Sequence, residues 1–322
     1  MNIRVALLFA ALAAALTAIH WFMVDRLDGV RQWQRRIYTQ QFNGNYEAPH
    51  NYRPLPHYVV RLLERLSHSW EFSCLFYRWF FSACFLWAAQ RLARLYLDDA
   101  RALWTLLPLA LLYPLSILRY WGQLTDPLSH MLFVLAFVYL LEDRPVALAV
   151  SLALGVLAKE TAAIVVPAYL VCYWRRGWRT WAVTGALGLA CTAAFLAARL
   201  PFGWRLGLGN MNGAGLMIGT NLGFGEPIAS LPCPLWENYL HPLLFVGLFV
   251  PAIARRWRVL DPRLRTLFLV VMPLLILSNV AFGWLAESRN YMPLVPLMAT
   301  MAMRPLRKSA QSERKDCQSI GI

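Results

Sequence analysis

Apolar stretches alternate with short polar connections along most of the chain. They run near 5–24, 72–90, 102–118, 127–141, 145–158, 161–174, 180–198, 241–254, 266–285 and 290–303. A helix needs roughly 20 apolar residues to cross a bilayer core about 30 Å thick, and these segments reach or approach that length. The pattern predicts an all-α polytopic membrane protein with about ten transmembrane helices. Residues 1–303 would form a single transmembrane domain, and residues 304–322 a basic cytoplasmic tail.

Composition and charge agree with this fold class. Of the 322 residues, 59% are hydrophobic and 15% are charged, which excludes an ordinary water-soluble enzyme. With the N-terminus in the cytoplasm, most of the 31 basic residues fall in the loops on the inner side, as the positive-inside rule requires. The net charge of +14 therefore indicates topology in a bacterial-type inner (plasma) membrane, with both termini cytoplasmic, and not a nucleic-acid partner.

This topology places two long segments on the outer face, residues 25–71 and 200–240. In the first, Val59, Leu62, Leu63 and Leu66 recur at helical spacing, which predicts an amphipathic helix lying in the membrane interface. In the second, residues 203–225 are rich in Gly and Asn. Such a permissive backbone suits either a loop that folds over a polar ligand or a simple connector.

Ionisable residues beside apolar segments are costly and mark either function or a buried partner. Lys159 and Glu160 lie between two apolar runs. They form either an ion pair that positions a ligand, or a lysine that extends to the membrane interface beside a glutamate that starts a helix. Glu287 and Arg289 form either a structural salt bridge or a phosphate-binding fork. Asp126, followed by Pro127, is also explained by helix capping.

Four short motifs carry a resemblance to a known family. They are YRPL at 52–55, DPLSHML at 126–132, LAKETA at 157–162 and ESRNYMPLVP at 287–296, preceded by an apolar first helix and an early Asp. In this order they resemble the GT-C superfamily of integral-membrane glycosyltransferases, which use lipid-phosphate-linked sugars as donors.

The resemblance implies site residues. An acidic residue in the first outer loop would be the catalytic base, with Asp28 favoured and Asp25 as the alternative. Arg53, Arg289 and Lys159 would bind the donor phosphate. The supporting residues would be Glu160, Glu287, Asp126, Tyr52 and Tyr291. The adjacent acidic pair common in the family's first loop is missing from this sequence, and no metal-ligand motif is visible. A divalent metal therefore stays an open alternative.

The implied function is inverting transfer of a sugar from a polyprenyl-phosphate-linked donor to an acceptor hydroxyl on the outer face of the membrane. The acceptor would be a glycan, a lipid or a protein, and membrane lipids would surround the chain. The competing hypotheses are a multi-pass transporter or lipid flippase, and an inert membrane scaffold. Transferase chemistry requires the acidic and basic candidates to gather in one outer pocket, because reacting groups must lie near one another.

Overall fold

The computed structural model describes residues 3–43, 52–117, 123–200, 218–222, 239–240, 242–283, 285 and 287–305. Every regular element in these ranges is a helix, which confirms the all-α class. Most of the Gly/Asn-rich segment 203–225 and of the tail 304–322 lies outside the described residues.

Among the described residues, five helical segments are long and apolar enough to cross a membrane. They are α1 (Ile3–His20), which continues through a π-helical turn at Trp21–Asp25, α4 (Trp70–Arg94), the consecutive α5 (Asp99–Trp104) and α6 (Leu106–Ile117), α10 (Trp178–Arg199), and α13 (Pro262–Phe282). Each coincides with a predicted span.

The prediction of about ten transmembrane helices was wrong, because the other five apolar segments form shorter or interrupted helices. These are α7 (Asp126–Leu141), α8 (Pro145–Ala158), α9 (Val165–Tyr173), α12 (Val250–Arg256) and α14 (Leu294–Met303). At 1.5 Å per residue, the 16 residues of α7 rise about 24 Å, less than the bilayer core. A 3₁₀ turn at Glu160–Ile164 separates α8 from α9, and a π-helical turn at Leu243–Gly247 precedes α12.

The first predicted outer loop contains α2 (Asp28–Asn43) and α3 (Pro54–Ser67), so the helix predicted there is present. Helix α3 buries His57 and Val60 against the protein and leaves Tyr58, Leu62 and Leu66 exposed. Because α4 begins at Trp70, only the two residues His68 and Ser69 separate α3 from a candidate span.

Helix α4 lies at the centre of the bundle and packs against α1, α7 and α14. Both α7 and α14 are buried over nearly their whole length. One end of the bundle is fastened by ion pairs between neighbouring helices, with Arg91 bound to Glu142 at 2.9 Å and Arg176 bound to Asp143 at 2.6 Å. The candidate site lies at the opposite end.

Candidate functional site

A break between α8 and α9 brings Lys159 into the protein interior. Lys159 has an extended backbone (φ −164°, ψ 123°), which ends α8 and turns the chain into the 3₁₀ segment. Gly155 permits this fold, because a Cβ at that position would lie 2.8 Å from the Cβ of Ala162. The small residues in the sequence LGVLAKETAA therefore bring the Lys159 turn close against its own helix.

Lys159 joins three other charged side chains in a buried network. Its Nζ lies 3.6 Å from Oδ1 of Asp126, at the start of α7, and Arg289 contacts Oδ2 of the same carboxylate at 3.4 Å. Arg289 also binds Glu287 at 2.8 Å. We call Asp126, Lys159, Glu287 and Arg289 the inner network, which is formed by segments far apart in the sequence.

Asparagine side chains complete the inner network. The amide of Asn290 donates to Glu287 at 2.8 Å and to Asn279 of α13 at 2.9 Å, and its oxygen accepts from Lys159. The short 3₁₀ turn Ser288–Tyr291 places Arg289 and Asn290 next to each other, and both are buried. Buried charges are tolerated when they are paired, and each charge of the inner network has an opposite charge within 4 Å. Oδ1 of Asp126 and Nε of Arg289 have no hydrogen-bond partner among the described residues.

The environment shifts the ionisation of the inner network. Burial lowers the pKa of Lys159 to about 8, although the nearby carboxylate of Asp126 acts in the opposite direction. Burial alone would raise the pKa of Glu287, but Arg289 and Lys159 hold it below its usual value. The two acids stay ionised at neutral pH, and Lys159 is the network's readily titrated member.

A second group of side chains lies beside the inner network and reaches the surface. Arg53, just before α3, binds Glu160 through Nε at 2.9 Å and contacts Gln123 at 3.3 Å. The backbone N–H of Gln123 donates to Asp126 at 2.9 Å, which links this group to the inner network. Arg199, at the end of α10, stacks 4.3 Å above the ring of Tyr52. We call Arg53, Glu160, Arg199 and Tyr52 the rim.

The two candidate bases lie in different environments. Asp28 is exposed over 79% of its side chain and pairs with Arg31 at 3.3 Å. Asp25 is buried, and its Oδ2 contacts His20 at 2.9 Å and Arg78 of α4 at 3.3 Å. His20, Asp25 and Arg78 thus form a second cluster of ionisable side chains. Asp126 interacts electrostatically with His20 and Arg78, so this cluster lies near the inner network.

The structure thus brings together Arg53, Lys159, Arg289 and four of the supporting residues, Glu160, Glu287, Asp126 and Tyr52. Tyr291, the fifth, is fully buried and donates to the carbonyl of Leu285 at 3.0 Å, so it has no surface for stacking on a ligand. At the start of α7, Thr125 occupies the N-cap position, and its side chain makes no capping hydrogen bond. The carboxylate of Asp126 accepts a hydrogen bond from the backbone N–H of Gln123.

Sequence reasoning missed several members of the site. His20, Gln123, Asn279 and Asn290 were not selected, because a neutral polar side chain in an apolar segment gives a weaker signal than a charge. Arg199 was not selected either. The pair of Arg78 with Asp25 joins two candidate spans, and the sequence alone does not reveal it.

The space inside the site is small. Ser129, His130, Lys159 and Asn290 help to line a cavity of about 10 Å³, enough for roughly one water molecule. The Nε2 of His130 is buried and has no hydrogen-bond partner among the described residues. A ligand of sugar size does not fit inside this cavity.

Comparisons of the chain with protein-family models, with curated proteins and with solved structures found no match. Within the described residues, no group of three or more His, Cys, Asp or Glu side chains is arranged to hold a metal ion. The fold and the site therefore define a helical protein with five candidate membrane spans in its described part and a buried ion network at one end of the bundle.

Proposed function

We propose that the chain is a membrane glycosyltransferase that takes a sugar from a polyprenyl-phosphate-linked donor at the outer membrane face. The observation that supports this most is the inner network, where two cations and two carboxylates from distant segments meet next to Arg53. Burying ionised groups costs several kcal/mol each, so such a network is favoured where the charges serve a ligand or a reaction.

In this proposal the donor phosphate binds beside Arg53, while Lys159 and Arg289, paired with Asp126 and Glu287, form the floor of the site. The acceptor hydroxyl attacks C1 of the sugar, forming a C–O bond with inversion at that carbon. The bond from C1 to the phosphate oxygen breaks, and its electron pair leaves with the phosphate. Fixed cations stabilise the charge that develops on the leaving group.

A carboxylate must take the proton of the attacking hydroxyl, and we propose Asp25 for this role ahead of Asp28. His20 and Arg78 hold Oδ2 of Asp25, and Gln34 also interacts with this carboxylate. A general base needs a fixed position, which these contacts provide. Among the described residues, the exposed Asp28 is held only through the solvent-accessible Arg31.

The test measures release of polyprenyl phosphate from polyprenyl-phosphate hexoses, supplied one at a time, together with a cell-envelope extract as the source of acceptor, to membranes that contain the chain. Asp25→Asn is expected to lose activity by at least two orders of magnitude. Asp28→Asn is the matched control and should retain it. If no hexose donor is consumed by the unmodified chain, the glycosyltransferase proposal fails. If Asp28→Asn alone abolishes release, only the assignment of the base fails.

Two observations favour a transporter or lipid flippase as the second candidate. His20, Asp25 and Arg78 are ionisable groups within candidate spans, and the break at Lys159 interrupts an apolar hairpin. In proteoliposomes, a transporter would move the intact polyprenyl-phosphate hexose across the bilayer without releasing polyprenyl phosphate. A transferase would release it, so the same assay separates the two functions.

A further inference from the structure

The charges at the site fall into two layers with different balances. The inner network contains two cations, Lys159 and Arg289, and two carboxylates, Asp126 and Glu287, so its formal charge is zero. The side chains of Lys159 and Arg289 are only 9% and 5% exposed. Its cations are therefore already neutralised and lie out of direct reach of a large ligand.

The rim has one carboxylate for two guanidinium groups. Glu160 is bound by Arg53, and it also interacts electrostatically with Arg199, which gives the rim a formal charge of +1. The side chain of Glu160 is 28% exposed, and Arg199 is partly exposed. The surplus positive charge of the site thus lies where a ligand would arrive.

Arg199 is the member of the rim with donors to spare. Arg53 uses all three of its nitrogens, on Glu160 and Gln123. In the described part of the chain, the side chain of Arg199 makes one hydrogen bond, at 3.3 Å from Nη1 to the carbonyl of Phe195. Its guanidinium lies over the rings of Phe195 and Tyr52, which fix its plane.

We propose that the rim is an anion-binding site for a phosphate ester and that Arg199 is its principal ligand, with Arg53 as the second cation. A planar guanidinium with two free donors matches two phosphate oxygens bidentately. The anion would neutralise the surplus charge without breaking the ion pairs below it. That the ligand carries a lipid chain rests on the proposed function. That the site binds an anion is inferred from the side chains of the rim alone.

The experiment measures equilibrium binding of two probes to the full chain in lipid nanodiscs: a C55 polyprenyl phosphate and inorganic phosphate. Arg199→Gln is expected to weaken polyprenyl phosphate binding roughly tenfold to a hundredfold, the range for loss of a bidentate charge-assisted contact. Arg199→Lys should recover only part of that affinity, since it keeps the charge without the fork. Arg179→Gln, at the other end of α10, is the control and should bind normally.

Thermal melting of each variant separates loss of ligand binding from loss of the fold. Unchanged binding of both probes by a folded Arg199→Gln protein would overturn the rim site, and so would failure of the unmodified chain to bind either probe. If the chain binds only inorganic phosphate and needs Arg199 for it, the rim site stands and the lipid-linked donor proposal fails. If polyprenyl phosphate binds independently of Arg199, the rim site fails and the proposed function is unaffected.

Discussion

At the scale of single residues, the sequence identified the charged side chains but only one of their pairs. Asp126, Lys159, Glu287 and Arg289 each stood out as an ionisable group beside an apolar segment, and a salt bridge between Glu287 and Arg289 was one of the alternatives. The contacts of Asp126 with Lys159 and with Arg289 join positions more than 30 residues apart, and one sequence carries no signal for such pairings. Asp25 was ranked below Asp28 because it ends the first span, yet that position is what places it against Arg78 of α4.

Lys159 gives the inner network a pH dependence with a definite sign. Folded chains lose the Lys159 proton near pH 8, whereas unfolded chains keep it up to about 10.5. Between these values the unfolded state binds more protons, so the contribution of Lys159 to the free energy of unfolding increases with pH. The Lys159→Met variant lacks this contribution. We therefore expect the free energy of unfolding of the unmodified chain to increase relative to that of the variant between pH 8 and 10. Chemical unfolding of both proteins in detergent measures this difference.

His57 gives a pH dependence of the same sign on the acidic side. It is buried in α3, its two ring nitrogens have no hydrogen-bond partner among the described residues, and burial, reinforced by Arg53, lowers its pKa to about 4. From pH 6.5 down to 4 the unfolded chain takes up a proton that the folded chain refuses, so acid weakens the fold. His57→Leu should therefore gain stability relative to the unmodified chain as the pH falls through this window. An equal acid dependence of both melting temperatures would contradict the prediction.

At the scale of elements, the short helix α11 (Ile218–Leu222) is coupled to the site through one asparagine. The amide of Asn221 donates to the carbonyls of Asn279, Val280 and Gly283, and its oxygen accepts from the N–H of Leu285. These groups lie at the C-terminal end of α13, where helix carbonyls lack partners. Asn279 in turn accepts from Asn290, so α11 contributes to positioning the inner network.

Replacing Asn221 by Ala should destabilise the protein by about 2 kcal/mol or more, because buried or half-buried backbone groups of Val280, Gly283 and Leu285 lose this partner together. The carbonyl of Asn279 still accepts from the N–H of Gly283. Asn221→Asp keeps the shape but cannot donate, so it should be at least as harmful. Asn43→Ala, on the exposed end of α2, is the control and should change the free energy of unfolding little. Equal stability of the Asn221 and Asn43 variants would show that this cap is unimportant.

At the scale of the whole molecule, hydropathy predicted the five long spans but overestimated the total. Hydropathy averages apolar character and does not report where a helix is interrupted, so the 3₁₀ turn after Lys159 and the π-helical turn at Leu243–Gly247 were invisible to it. A helix buried by its neighbours, such as α7, is apolar all round for the same reason as a lipid-facing one. Composition cannot tell the two environments apart.

The arrangement of the bundle predicts which residues share a side of the membrane. The candidate site lies at one end of the bundle, and Asp28 marks this end because it follows Asp25 closely in sequence. Arg175 marks the other end, next to the ion pair of Arg176 with Asp143. In the proposed positive-inside orientation, the second end faces the cytoplasm. In a background without the six native cysteines, Asp28→Cys should react with a membrane-impermeant thiol reagent in intact bacterial cells. Arg175→Cys, also exposed, should react only after permeabilisation. If the accessibility of the two positions is reversed, the ion network lies on the cytoplasmic face, and the proposed donor in the outer leaflet is ruled out. If both positions are labelled from one side, the bundle does not span the membrane between them.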